Sequence, residues 1–500
     1  MTINNSVPLL FYDKGTICIK NSHLIGIPGT TIDERDKKIL RAYASEYDSI
    51  IQYLNESDLE FVDNVKQIIP SQTITAPDLV LRDYQEKAME NWSKSSMRGC
   101  IVLPTGAGKT VLGIRAIEQI NSSTLVVVPT IDLMDQWTQV LKKYLKYEGE
   151  ETNNISAREN SDSSQTKIGN LGGGRDDIQQ ITVATYDSAY LRAPYIGNQF
   201  ELIIFDEVHH LPAPGYRLIA EQFIAPYRLG LTATIEREDG LHDLLPKLVG
   251  GIVFQLGPQE LSETKHLAEF EIERRQVELT SQEQKDYDDN YSVFLSSLNK
   301  LGFRYPSMQN LKRLIMMSNK NKIAREGLLA RNKANSIALN SQSKISELKK
   351  ILTENKFAKT IIFTQNNKMV YDLSDKFLIP FITYKTTKEE RRNVLEGFKS
   401  GKYSTVVTSR VLDEGIDVPD AELAIIVSGT GSGREIIQRL GRILRPKKDQ
   451  KKAKLVEIIS KHTRETNTSA KRITAFQKST KQSSDANASY ETSPGWSSDQ

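Results

Sequence analysis

Two stretches of the chain alternate short apolar runs with helix-spaced segments. From about residue 78 to 260 the runs are GCIVLP, STLVVVP, QITVATY, ELIIFD, RLGLTA and GIVFQL. Several are continuous and β-branched rather than alternating, the pattern of strands buried on both faces of a parallel sheet. A second block starts at TIIFTQ (360–365) and runs through FITYK, TVVTS and LAIIVSG to LVEIIS near 459. The predicted fold class is α/β, with two tandem lobes of the same strand–helix grammar.

The flanking segments read differently. LLFYDKGTICIK predicts two strands around an Asp-Lys-Gly turn. Ile39, Leu40, Tyr43, Tyr47, Ile50, Ile51 and Leu54 recur three or four apart, predicting a helix from Asp33 to Leu54. Residues 1–75 thus form a small α/β domain, with Pro70 and Pro77 bracketing a linker. The first lobe is expected over 78–270 and the second over 356–462. Between them, 280–355 shows helical periodicity and no strand. The polar stretch 150–177, ending in LGGGRDD, reads as a loop, and 463–500 as a disordered tail.

Composition refines this picture. Five hundred residues exceed what one core serves, so two to four domains are expected. The net charge of +3 carries no global signal for nucleic acid. Locally, Lys300 to Lys350 holds twelve Lys/Arg against two acids, Glu326 and Glu347, whereas Glu278 to Asp289 is acidic. Cys18 and Cys100 provide neither a disulfide framework nor a cysteine zinc cluster and read as buried fillers. No run of 18 apolar residues exists, and MTINNSVPLLFYDKG carries one Lys against one Asp with no basic lead-in, so no membrane span or secretory signal is expected. The expected location is cytoplasmic, near the nucleoid in a prokaryote.

The strongest chemical signal is IVLPTGAGKTVLGI (101–114), a strand feeding a Gly-rich turn before Lys and Thr open a helix. Gly106 and Gly108 let the backbone of Thr105, Gly106, Ala107 and Gly108 curl its N–H groups around phosphate oxygens. Lys109 can reach the β- and γ-phosphates and Thr110 can ligate Mg²⁺, so ATP and Mg²⁺ are the expected cofactors. Leu103 stands where this pattern usually has its first glycine. In ELIIFDEVHHL (201–211) a strand ends in Asp206 and Glu207. Asp206 suits Mg²⁺ and Glu207 suits the general base, although paired acids here can also be helix caps. His209 suits coupling better than a metal pair with His210. Thr232 and Thr234, after RLGLTAT, suit a relay between nucleotide state and closure. In LRDYQ (81–85), Gln85 carries the donor and acceptor that read an adenine edge, with Arg82 in support.

In the second lobe REIIQRLGRILRP (434–446) spaces Arg439, Arg442 and Arg445 three apart. Such guanidiniums can point together at a γ-phosphate, with Gln438 near the attacking water; the alternative is a solvated basic helix. In TSRVLDEGIDVP, Thr408 is placed to touch a backbone phosphate, and Asp417 faces either the ribose or an arginine of the final cluster.

The order LRDYQ, GAGKT, VVPTIDLMDQW, DEVH, TAT, TIIFTQ, VVTSRVLDEGIDVP and QRLGRILR resembles that of superfamily 2 helicases. IEREDG, holding Arg237, Glu238 and Asp239, looks like the RED motif of XPB-type repair and transcription helicases. GGGRDDIQQITVATYDSAY and the N-terminal YDKGTICIK…IPGTTIDER…RAYASEYDSIIQYL are similar to that family too, and the compact length looks archaeal. The resemblance implies two RecA-like P-loop ATPase domains, a small N-terminal damage-recognition-like domain and a thumb-like insert at 280–355. It implies a DNA-dependent ATPase and 3′–5′ helicase in nucleotide excision repair, acting at single-stranded/duplex junctions with an XPB-associated nuclease. It places Arg442 and Arg445 at the finger positions, and Thr130 and Thr185 within nucleic-acid or coupling motifs.

The basic insert is the expected extra DNA clamp. In GFRYP, Phe303, Arg304 and Tyr305 mix ring and charge for stacking or phosphate contact, or are a helical surface with core aromatics. Arg237 and Asp239 are candidates for strand separation or for locking the domain arrangement. Competing readings are a duplex translocase without unwinding, an RNA helicase, a non-catalytic scaffold and a nuclease subunit of a restriction complex.

Overall fold

The computed structural model describes residues 7–20, 26–104, 106–147, 167–237, 239–257, 270–409, 421–428, 453–466 and 469. They divide into two compact units, one running up to Gly257 and the other from residue 270 onward.

The first unit opens on a five-stranded sheet of order β3-β4-β2-β1-β5. Its strands are β1 (Leu9–Asp13), β2 (Thr16–Lys20), β3 (Thr31–Ile32), β4 (Leu40–Tyr43) and β5 (Val62–Asn64). The Lys14-Gly15 turn between β1 and β2 is left-handed at both positions, the twist a two-residue hairpin requires. The helix expected over Asp33 to Leu54 is shorter: α1 covers Tyr47–Glu56, and Leu40 to Tyr43 pair with β2 instead. A three-to-four spacing over so few residues fits a strand as well as a helix, and pairing decided.

The rest of this unit is an eight-stranded sheet, β11-β10-β12-β8-β13-β14-β7-β15. The two-stranded pair β6 (Ile74–Thr75) and β9 (Lys146–Tyr147) stands apart from it. All six expected runs are strands: β7 (Arg98–Val102), β8 (Thr124–Val128), β12 (Ile181–Thr185), β13 (Leu202–Asp206), β14 (Tyr227–Thr232) and β15 (Ile252–Gln255). They pair in parallel, and every residue of β8, β12 and β13 is buried. Helices α2 (Asp83–Lys94), α3 (Lys109–Ile120), α4 (Ile131–Tyr144), α5 (Tyr186–Ile196), α6 (Arg217–Gln222) and α7 (Leu245–Leu248) complete the lobe.

The 150–177 loop is corrected in part. Its last residues form β10 (Ile168–Gly172), parallel to β12, and β11 (Arg175–Asp176), which folds back on it. Gly172, Gly173 and Gly174, all at positive φ, make that reversal. The N-terminal domain is fastened to this lobe. The Tyr12 hydroxyl lies 2.8 Å from Ala193 O and 3.0 Å from Gln222 O, and Ile224 packs in the N-terminal core.

The second unit carries a six-stranded parallel sheet, β16-β21-β20-β17-β19-β18. Five strands match the expected runs: β17 (Thr360–Phe363), β18 (Phe381–Ile382), β19 (Thr405–Thr408), β20 (Leu423–Ile426) and β21 (Ala453–Ser460). The sixth, β16 (Phe270–Val277), was not expected and pairs with β21 along its whole length. Helices α8 (Ser281–Lys300), α9 (Met308–Met317), α10 (Lys322–Leu339) and α11 (Gln342–Glu354) occupy the insert, followed by α12 (Asn367–Phe377) and α13 (Lys388–Ser400). Residues from α8 to α10 share their own cores, whereas Leu348 and Ile351 of α11 pack into the sheet's core.

Two expectations change here. Packing continues past 462: Thr463, Glu465 and Ser469 are buried, so the tail begins later than 463. Lys344, one of the twelve basic residues of the insert, has no exposed surface and does not belong to a clamp face.

Candidate nucleotide site

The site forms at the C-terminal ends of β7, β13 and β14, where a parallel sheet presents its strand-to-helix turns. β7 runs into Leu103 and Pro104, and the turn reaches α3 with Gly106 and Gly108 at φ 85° and 78°. A Cβ on Gly108 would lie 2.5 Å from Gln85 Nε2, so glycine is needed for space as well as for φ. Gly108 at the N-cap of α3 has no side chain to offer, so no side-chain cap closes the helix's first turn. Its N–H groups are therefore those an anion would meet.

Lys109 Nζ donates to Leu103 O at 3.3 Å. The Gln85 amide is engaged at both ends: Nε2 donates to Ala107 O at 3.0 Å, and Oε1 accepts from Arg82 N at 2.9 Å. Tyr84 OH donates to the same Ala107 carbonyl at 2.8 Å. In this arrangement Gln85 fastens α2 to the phosphate-type loop, and Arg82 donates to Tyr84 OH.

Asp206 ends β13 with 6 % of its surface exposed. Its Oδ1 accepts from Glu207 N at 3.0 Å, and its Oδ2 from Trp137 Nε1 at 2.8 Å. Burial first, and then the neighbouring Glu207 charge, push its carboxyl up to about 6 against the pull of Lys109. Glu207 is held in the left-handed region at φ 48°, a conformation non-glycine residues adopt where the surroundings impose it. Thr232, ending β14, donates to Thr234 O at 2.7 Å. With its proton spent there, Thr232 Oγ1 is the acceptor for His209 Nδ1 at 3.0 Å, and Glu207 Oε2 lies 3.4 Å from both.

Arg237 joins this cluster from the following loop. Its guanidinium donates to His209 O and forms a fork on Asp239 at 2.9 and 2.7 Å, holding the Asp239 carboxyl far below its ordinary range. His209, Thr232 and Thr234, the residues expected to couple, thus meet Arg237 and its partner Asp239, the candidates for strand separation or for locking the domain arrangement, around the DEVH turn.

Several expected residues occupy other settings. Thr130 and Thr185 cap α4 and α5, accepting from Leu133 N and Ser188 N, each at 3.3 Å. Thr408 is wholly buried and donates to Ser409 O, which corrects its placement on a phosphate-contacting surface. Arg304 and Tyr305 are exposed, whereas Phe303 packs into the helical module. Thr105, Glu238, Asp417, Gln438, Arg439, Arg442 and Arg445 lie outside the described residues. Trp137 and Tyr186, whose hydroxyl donates to Asp206 O at 3.1 Å, were missed. Their only sequence signal is apolar spacing on α4 and α5.

The donor set suits Mg²⁺. That ion is commonly bound by one or two carboxylates together with substrate phosphates, and Asp206 is a buried carboxylate crowded by a like charge. Among the described residues no three His, Cys, Asp or Glu side chains form an all-protein metal cluster.

Comparison with known proteins agrees with the motif order. The model for the XPB helicase damage recognition domain matches residues 10–65, and the ERCC3/RAD25/XPB C-terminal helicase model matches 330–478. The DNA 3′–5′ translocase XPB2 of Sulfurisphaera tokodaii is 45 % identical over 426 residues, covering 85 % of this chain and 92 % of that protein. The chain belongs to the XPB family of superfamily 2 DNA helicases. A second XPB relative, the putative DNA 3′–5′ helicase Rad25 of Haloarcula marismortui, is 31 % identical over 77 % of this chain and 53 % of its own length. The XPB/SSL2 subunit of transcription and repair factor IIH from Saccharomyces cerevisiae is 28 % identical, over 79 % of this chain and 43 % of its own.

The type III restriction enzyme res subunit model matches residues 78–237, which hold the DEVH cluster, while the segments on either side match XPB models. The crystal structure of the Pyrococcus furiosus Hef helicase domain shares the fold, with a TM-score of 0.51 at 18 % identity over 79 % of this chain and 98 % of that one. Among the described residues of this XPB protein no helix is long and apolar enough to cross a membrane.

Proposed function

We propose that this XPB-family chain hydrolyses ATP with Mg²⁺ to drive 3′–5′ movement on DNA, opening or distorting the duplex during nucleotide excision repair. The observation that carries the reading is the convergence of Asp206, Glu207, His209 and Thr232 beside the Gly106–Gly108 turn. On ATP binding, Lys109 would exchange Leu103 O for phosphate oxygens, and Thr110 and Asp206 would hold Mg²⁺. The ion supplies charge neutralisation on the phosphates. Glu207 accepts the proton of the attacking water, its Oε2 lying 3.4 Å from both His209 Nδ1 and Thr232 Oγ1.

The second lobe contributes Arg442 and Arg445 to the γ-phosphate, with Gln438 at the water and Asp417 near the nucleotide. DNA binds through Arg304 and Arg439 and through the basic helices of the insert, largely by backbone contact. The N-terminal domain recognises distorted DNA, and an associated nuclease cuts what the motor exposes.

The name of the S. tokodaii relative favours a second reading for this chain, a duplex translocase that remodels DNA without processive unwinding. Forked duplexes and triplex-displacement substrates, assayed side by side with Arg442→Ala as control, separate the two. Fork opening with 3′–5′ polarity supports the helicase, and triplex displacement alone supports the translocase. Neither activity, or activity undiminished in Arg442→Ala, contradicts the two-lobe motor.

A further inference from the structure

The Asp206 carboxylate is oriented by a side chain outside the DEVH turn. Trp137 sits in the middle of α4, is 1 % exposed, and donates its indole N–H to Asp206 Oδ2 at 2.8 Å. The other oxygen takes the Glu207 amide. An ionised carboxylate offers about four lone-pair directions, so these two donors fix its plane and leave the remaining lone pairs for a cation. The indole cannot turn away, because α3, the helix following the phosphate-type loop, lies against it. A Cβ on Gly113 would stand 2.5 Å from Trp137 Cη2 and 3.0 Å from Cζ3.

A residue chosen only to fill this space would need no polar atom. A buried indole N–H usually finds a partner, but here the partner is the one carboxylate the strand presents to the nucleotide. Partners that orient a ligand in this way commonly contribute about 10- to 100-fold to metal affinity.

We propose that Trp137 is a positioning residue for Mg²⁺: its indole holds Asp206 so that the ion meets a pre-oriented carboxylate. Trp137 acts through Asp206, to which its indole N–H donates, and not as a ligand itself. The proposal rests on the reading of Asp206 as the magnesium-holding group.

The test is binding rather than turnover. A fluorescent, non-hydrolysable ATP analogue is titrated into the full chain with excess Mg²⁺ and again in EDTA, for wild type, Trp137→Phe and Asp206→Asn. In EDTA, Trp137→Phe should bind within about twofold of wild type, because no protein–phosphate contact is lost. Its gain in affinity from Mg²⁺ should shrink by about tenfold, towards that of Asp206→Asn. A Trp137→Phe protein that keeps the whole Mg²⁺ gain, while Asp206→Asn loses it, overturns the role of Trp137 and leaves that of Asp206 standing. An Asp206→Asn protein that keeps the gain removes both.

If Trp137→Phe does not fold, wild-type protein labelled with ¹⁵N-tryptophan decides. The indole signal that Asp206→Asn displaces belongs to Trp137. It should move when Mg²⁺ is added to the analogue complex, and an unmoved signal overturns the proposal.

Discussion

Two buried charged clusters, one in each lobe, are built in opposite ways. In the first lobe Asp206 and Glu207 place two carboxylates side by side, and burial and mutual repulsion push Asp206 up to about 6. In the second lobe Lys344 is fully buried, yet its ammonium donates to Glu465 Oε1 at 2.6 Å and Val427 O at 2.8 Å. Glu465 in turn accepts from Ser460 N at 3.0 Å. The first cluster leaves its negative charge only partly compensated, by Lys109 and two N–H donors, which costs stability and creates a place for a cation. The second matches charge for charge and joins α11 to the ends of β20 and β21. A buried charge therefore points to chemistry when its compensation is incomplete, and to architecture when it is complete.

The contrast can be broken from either side. The largest effect is expected on catalysis: Glu207→Gln should lower ATP hydrolysis by about a thousandfold, with ATP binding kept, as steady-state rates and nucleotide titration would show. Next, Lys344→Met should cost about 3–5 kcal/mol in urea unfolding, because it strands Glu465 in the interior. Adding Glu465→Leu should recover most of that loss. A double variant as weak as the single one would mean that the ion pair is not the joint.

A smaller effect is a dependence on pH. The folded Asp206 binds its proton more tightly than the unfolded one, so its contribution to stability falls as pH rises from 3.8 towards about 6 and stays low above. Melting curves of nucleotide-free protein should show that slope, and Asp206→Asn should remove it. The smallest effect is on an exposed pair of the same helical module. Lys322 and Glu326 are 3.9 Å apart and largely solvated, so Lys322→Ala should change stability by no more than about 0.5 kcal/mol.

The scaffold was legible because strands of a doubly covered parallel sheet are continuous apolar runs, as in TLVVV and LIIFD. What escaped was decided by partners far along the chain. FEIERRQV reads as polar, but it is an edge strand held by β21, with Arg275 paired to Glu347 and Glu354. Lys344 counted as one more surface charge, since nothing in its neighbourhood announces Glu465. The site was legible where motif chemistry is local, in the glycines of the turn and the acids ending β13. It was illegible where an apolar-looking residue does polar work, as Trp137 does. Thr408 failed in the reverse sense: a hydroxyl at a strand end suggested an exposed contact, and the structure spends it on the backbone.

The most direct test of the account is ATP hydrolysis by the full chain without DNA and with single-stranded, duplex and forked DNA, for wild type and Glu207→Gln. The account predicts strong stimulation of wild type by DNA and near-complete loss in the variant on every substrate. A rate indifferent to DNA, or a Glu207→Gln protein as active as its parent, would contradict it.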